Sequence, residues 1–145
     1  MARTLPLLPT CMLRLLPVLV LMAPLRSATA LPDLAGCVDV SVEGSVVTFE
    51  VTITNHGDAV ASHFFWDVWY QLDAWPTQQF SDTNGEEWAL GPAETVVRSA
   101  VWENAPSGAL AAWLQIDTWF SPQGLIPESN EENNLCGPIA YSVDN

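Results

Sequence analysis

The stretch Glu128-Ser129-Asn130-Glu131-Glu132-Asn133-Asn134 packs three carboxylates and three side-chain amides into seven consecutive residues, and Asp117 closes an apolar run shortly before it. Carboxylate and amide oxygens are the ligands a hard cation such as calcium takes. Asp117, Glu128, Asn130 and Glu131 are the candidate set, with Asp117 and Glu128 foremost, because a strand end and the start of the acidic stretch can face each other across the connection. The spacing matches no EF-hand loop. The competing reading is structural and is the favoured one: Asn and Asp side chains take backbone N–H groups and fix a turn, while the glutamates stay solvated. No other cofactor is indicated.

Tryptophan is the second source of chemistry. The chain carries seven, at positions 66, 69, 75, 88, 102, 113 and 119, and a sandwich core of this size seldom needs more than one or two, so some belong at the surface. Exposed indoles stack on the C–H faces of sugars, and they anchor protein partners equally well. Phe65, Trp69, Trp113 and Trp75 are the candidate binding face, since they point outward on strands, or at a strand end, that can neighbour one another. The alternative is that these rings cover one another or lie under a loop.

Catalysis has little to work with. The only histidines are His56, in a turn, and His63, at a strand start; neither has a nucleophile or metal ligand at a motif spacing. Carboxylate pairs are plentiful, but a glycosidase needs a cleft that holds two of them at a fixed separation. The expectation is a protein that binds and does not catalyse.

The elements that must position these side chains have a period of two. Residues 45–54 place Val47, Phe49, Val51 and Ile53 on one face and Thr48, Glu50, Thr52 and Thr54 on the other, the pattern of a half-buried antiparallel strand. Residues 62–73 alternate likewise, with Phe64, Trp66, Val68, Tyr70 and Leu72 opposed to His63, Phe65, Asp67, Trp69 and Gln71. Shorter runs at 34–42, 94–102, 109–118 and 135–143 are separated by turn-forming pieces such as Asn55-His56-Gly57-Asp58, Gly91-Pro92 and Ala105-Pro106-Ser107-Gly108. In the run from Ala109, Leu110, Ala112, Leu114 and Ile116 face the core, and Trp113 and Gln115 point out. Strands at regular spacing without a helical pattern predict an all-β sandwich.

The first residues form a separate regime. Arg3, Arg14 and Arg26 are three of the four Lys+Arg residues, whereas every acid lies at Asp33 or later. A basic start, the apolar run Leu15 to Leu25 and the small residues of Ala28-Thr29-Ala30 resemble a secretory signal peptide spanning residues 1–30, leaving one domain at 31–145. Arg14 and Arg26 bracket too few uncharged residues to cross about 30 Å of hydrocarbon, so no transmembrane segment is expected. Leu34-Ala35-Gly36-Cys37 offers a minor alternative, a lipoprotein anchor through Cys37. After removal of the leader, Arg98 alone stands against all seventeen acids, a net charge of about −16. That field repels phosphate backbones and anionic membranes, which excludes nucleic acid as a partner, and it attracts cations. Cys37 and Cys136 are then the remaining cysteines, an even count that can bridge the first and last strands in an oxidising compartment; two buried free thiols are the alternative.

Five pieces of sequence together carry a resemblance: Pro32-Asp33-Leu34, Asn55-His56-Gly57, Leu90-Gly91-Pro92, Ile116-Asp117 and, most specific, Glu128-Ser129-Asn130-Glu131-Glu132-Asn133-Asn134. They resemble the CARDB domain, the cell-adhesion-related domain found in bacteria, over residues 32–143. The resemblance implies an immunoglobulin-like, seven-stranded antiparallel β-sandwich on exported prokaryotic proteins, with a binding or spacer role. The tryptophans and the cysteine pair are not part of the matched pattern. The functional expectation is therefore a non-catalytic adhesion module, secreted, periplasmic or at a bacterial surface, that recognises an extracellular protein. Two other readings stand beside it: a carbohydrate-binding module using exposed tryptophans for a polysaccharide, and a structural, calcium-stabilised spacer. Self-association through an aromatic strand is compatible with all three.

Overall fold

Seven strands among the described residues build two antiparallel sheets that close over a single apolar layer. The structure is a computed structural model and describes residues 29–72, 80–118 and 125–144. Its strands are β1 (Leu34–Glu43), β2 (Val46–Asn55), β3 (Phe64–Trp69), β4 (Thr83–Glu87), β5 (Thr95–Trp102), β6 (Gly108–Ile116) and β7 (Leu135–Val143). The three-stranded sheet runs β1-β2-β5 and the four-stranded sheet β4-β3-β6-β7. This is the immunoglobulin-like sandwich expected.

The inward residues of each strand make the core. Val47, Phe49, Val51 and Ile53 of β2 face Phe64, Trp66 and Val68 of β3 and Ala112, Leu114 and Ile116 of β6, all buried in one cluster. Phe49 anchors it: its ring lies 4.2 Å from Tyr70 and parallel to it within 2°, and meets Tyr141 edge-on at 5.9 Å. The Tyr141 hydroxyl in turn donates to the Tyr70 carbonyl. Burial holds the Tyr141 phenol up at about 12, with the Asp82 carboxylate adding to the shift.

Local sequence explains the corners. Glu43 pairs with Val46, so β1 and β2 are joined by Gly44-Ser45 alone, and Gly44 takes the φ of 59° that so tight a hairpin needs. Pro138, which cannot donate to a ladder, sits on β7, an edge strand. The β6–β7 register slips between Ala112 and Leu114, so Trp113 lies opposite Gly137 in a bulge. A Cβ at Gly137 would stand 2.8 Å from the Ala112 carbonyl oxygen and 3.0 Å from the Trp113 ring, and its φ is 130°, so the position needs glycine.

The two sheets are tied at opposite flanks. Cys37 of β1 and Cys136 of β7 are bonded, with Cα atoms 5.1 Å apart and a sequence separation of 99; a ring of that size stabilises by about 2–5 kcal/mol. At the other flank Arg98 of β5 donates to Glu87 of β4 at 2.7 Å.

Two details differ from the sequence expectation. The strand expected over residues 62–73 ends at Trp69, because Tyr70 turns away and gives its N–H to Asp82 Oδ2 at 2.7 Å. β4, with the sequence TNGEE, has no apolar alternation and is not among the expected strands. It forms because Gly85 lets the Trp66 indole lie against its backbone: a Cβ there would come within 2.2 Å of the ring.

Candidate functional site

Two places gather the chemistry-bearing residues: the outer face of the four-stranded sheet, and the acidic connection between β6 and β7.

On the outer face, Trp69 of β3 and Trp113 of β6 are direct cross-strand partners. Sequence alternation points both rings outward, and neither joins the core cluster between the sheets. Both are nevertheless buried, at 5% and 7% exposure, which corrects the expectation that they form an exposed stacking face. The Trp69 indole N–H donates to the Phe80 carbonyl at 3.1 Å and that of Trp113 to the Leu72 carbonyl at 3.0 Å. Both acceptors belong to the connection from β3 to β4, at residues 72 and 80. Asp67, between them and Phe65 on the strand, accepts the hydroxyls of Ser81 and Thr118 and pins the same connection. Trp75 lies outside the described residues. Phe65 is half-buried.

The exposed aromatic surface is on the same face and, apart from Phe65, is not among the residues of the candidate binding face. His63 precedes β3, Glu86 pairs with Phe65 across β3 and β4, and Trp88 follows β4. The His63 ring stacks on Trp88 at 4.4 Å and 10° and tilts against Phe65 at 4.8 Å, while its Nε2 meets Glu86 Oε2 at 2.9 Å. Trp88 is 73% exposed. The signal that could have found it is the pairing itself, since β4 brings Glu86 and Trp88 beside His63 and β4 is not legible from alternation.

The acidic connection begins at Asp117, which is fully buried and takes a φ of 53°, a left-handed conformation that Asp tolerates. Its Oδ2 accepts the N–H groups of Leu125 at 2.8 Å and Ile126 at 2.7 Å. Glu128, 7% exposed, accepts the Leu34 N–H with one oxygen and the Asn134 amide with the other, at 2.9 Å. The Glu128 N–H donates to Glu131 Oε1 at 2.8 Å, Asn133 donates to Asp33 at 2.7 Å, and the Ser129 N–H donates to the Pro32 carbonyl at 2.9 Å. Asn130 stands apart, capping the Glu132 N–H at 3.1 Å.

The other resembling motifs meet the same end of the sandwich. Asn55, fully buried at the end of β2, accepts the N–H groups of Asp33 and Gly57 through Oδ1 and donates to the carbonyls of Ala59 and Leu90 through Nδ2. One asparagine thus binds together Pro32-Asp33-Leu34, Asn55-His56-Gly57 and Leu90-Gly91-Pro92, and the acidic stretch clamps the first of them from the other side. The motifs are a structural clasp.

The clasp is electrostatically uneven. Burial raises the carboxyl of Glu128 to about 7, against the two hydrogen bonds that favour its charged form, and Asp117 and Glu131 push it further the same way. Burial also raises Asp117. Asp117 Oδ1, Glu131 Oε2, Asn133 Oδ1 and Asn134 Oδ1 are buried without a donor. Of the four proposed calcium ligands, Asp117, Glu128 and Glu131 therefore come together and Asn130 does not. Among the described residues no three carboxylate, imidazole or thiolate groups gather into a metal site on their own, so a cation here would depend on amide oxygens as well.

No protein-family model and no curated protein sequence matches the chain. Solved structures do. The crystal structure of the CARDB domain of the PF1109 protein from Pyrococcus furiosus, in complex with di-metal ions, superposes with a TM-score of 0.64 at 21% identity, covering 79% of this chain and 90% of that one. The solution structure of the same domain gives 0.57 at 21% identity over 78% and 94%. The likeness is one of fold, and the fold is that of the CARDB domain. No helix among the described residues is long and apolar enough to cross a membrane.

Proposed function

We propose that this CARDB-like sandwich is an exported, non-catalytic adhesion module that recognises an extracellular protein through the outer face of its four-stranded sheet. The observation that carries this reading is Trp88, a large aromatic side chain 73% exposed yet fixed by stacking on His63. A rigid exposed indole is a typical anchor of protein interfaces. The burial of Trp69 and Trp113 leaves Trp88 as the strongly exposed indole of this face among the described residues. Export rests on the basic and apolar leader of residues 1–30, and the Cys37–Cys136 bond suits the oxidising compartment to which such a leader directs a chain.

The test uses separate protein and polysaccharide fractions of the cell envelope, each immobilised. Binding of the chain to the protein fraction, abolished by protease treatment of that fraction and weakened by Trp88→Ala, is the expected result. Binding confined to the polysaccharide fraction and indifferent to protease overturns the reading.

A second reading, a calcium-stabilised spacer, is favoured by one observation: four buried acceptor oxygens in the clasp have no donor. Asp117, Glu128 and Glu131, with the amide oxygens of Asn133 and Asn134, would hold the cation, and the cation would neutralise their repulsion. The metal ions of the PF1109 domain belong to that protein. Adhesion and calcium dependence are compatible, because the clasp and the Trp88 surface use different residues.

A further inference from the structure

We infer that the Trp88 surface selects a basic protein segment and takes an arginine side chain against the open face of the indole. The inference rests on the reading of this face as a protein-binding surface and names the partner's chemistry. Four observations carry it.

One face of the Trp88 ring is covered. His63 lies parallel to it at 4.4 Å, and with 73% of the residue exposed the opposite face is open to solvent. An indole face carries the negative lobe of its quadrupole, which attracts a cation, and a planar guanidinium stacks on it better than an ammonium does.

A carboxylate stands at the same place. Glu86 holds His63 at 2.9 Å and keeps 48% of its side chain in solvent. A carboxylate has acceptor capacity for more than one donor, so Glu86 can take a guanidinium N–H while its bond to His63 persists. His63 is thus a positioning residue, orienting both the ring and the acid.

No Lys or Arg among the described residues competes. Arg98 is the only Lys or Arg after Arg26, and it is engaged with Glu87 at 2.7 Å on the flank of the sandwich.

The field of the whole molecule points the same way. Seventeen acids against four bases give a net charge of −13, which steers cationic partners in and repels a second copy of the chain, an acidic protein or nucleic acid.

The experiment is fluorescence anisotropy with the full chain and dye-labelled nonapeptides. One carries three arginines spaced by Gly and Ser; in the others those positions are lysine, neutral citrulline, glutamate or leucine. The arginine peptide is expected to bind tightest and the citrulline peptide not at all. Trp88→Ala should weaken the arginine peptide about 5- to 30-fold, with Trp88→Phe intermediate, and Glu86→Gln about 2- to 5-fold. Asp39→Asn, which removes the same charge from exposed β1 on the other sheet, should change it less than 2-fold. Both platform residues are exposed, so unchanged melting temperatures confirm that the variants are folded.

Equal losses in Asp39→Asn and Glu86→Gln with none in Trp88→Ala would reduce the effect to diffuse attraction and overturn the inference. Trp88-dependent binding of the leucine peptide in preference to arginine would overturn it too, while leaving the protein-binding reading intact. If no peptide responds to Trp88→Ala the inference falls, and the envelope-fraction assay decides the reading by itself. Trp88-dependent binding of a polysaccharide in a parallel arm sinks both.

Discussion

Glu128 accepts the backbone N–H of Leu34, 94 residues away in sequence, and so fastens the connection before the last strand to the start of the first. The bond is made by a carboxyl that burial, Asp117 and Glu131 together raise to about 7.

Because the ordinary value of that carboxyl is 4.5, the folded chain binds a proton more readily than the unfolded one. The resulting stability is complete below about pH 4.5 and is lost as pH rises through about 7, the reverse of the usual carboxylate trend. Asp117, raised by burial, acts in the same sense. The melting temperature in chelator should therefore rise by roughly 5 °C between pH 8 and pH 5. Glu128→Gln should flatten this dependence and raise the melting temperature at pH 8. A flat profile in the unmodified chain would refute the coupling of the clasp to its proton.

Calcium should compete with that proton. At pH 8 a millimolar addition is expected to raise the melting temperature by a few degrees and at pH 5 by much less, since protonated carboxyls are poor ligands. In the double variant Asp117→Asn, Glu128→Gln the calcium shift should vanish. Its survival would show that a cation, if it binds, binds elsewhere.

Asn55 is the least replaceable side chain of the clasp, with two acceptor and two donor contacts to four backbone groups, and it is fully buried. Asn55→Ala should cost about 2–4 kcal/mol by chemical denaturation, because those groups lose their partners away from water. Asn55→Asp should cost at least as much, since it keeps the two accepted bonds but sets an acceptor against the Ala59 and Leu90 carbonyls. A loss below about 0.5 kcal/mol in either would mean water replaces the amide.

Gly85 carries β4. A methyl group added there would stand 2.2 Å from the Trp66 ring, so Gly85→Ala should destabilise by about 1–3 kcal/mol. Because β4 holds Glu86 and leads into Trp88, the same change should weaken whatever binds Trp88 more than it shifts the far-side disulfide flank. Hydrogen exchange is the check: faster exchange confined to β3 and β4 is expected, and uniform loss of protection across both sheets would contradict it.

Much of this could be read from residues in order. Val47, Phe49, Val51 and Ile53 alternate with threonines, so a strand with one buried face is the arrangement that keeps the apolar side chains from water. The acidic stretch and Asp117 could likewise be recognised as a fixed connection, since Asn and Asp side chains bond to nearby N–H groups, but that reading leaves the glutamates in solvent and Glu128 is instead buried on the Leu34 N–H. β4 could not be found this way: its formation depends on Gly85 fitting under Trp66, a contact between residues on different strands. Nor could the sequence tell that Trp88 would be exposed while Trp69 and Trp113 are buried.

Alternation by itself determined β2, β3 and β6 and which of their side chains face inward, because burial on a pleated strand follows a local period of two. Only the tertiary structure decided which outward rings meet solvent. An outward position is a local property of one strand, but exposure depends on what chain crosses over it. The Leu72 and Phe80 carbonyls accept the indole N–H groups of the buried Trp113 and Trp69, whereas Trp88, just after an edge strand, is 73% exposed with His63 stacked on one face.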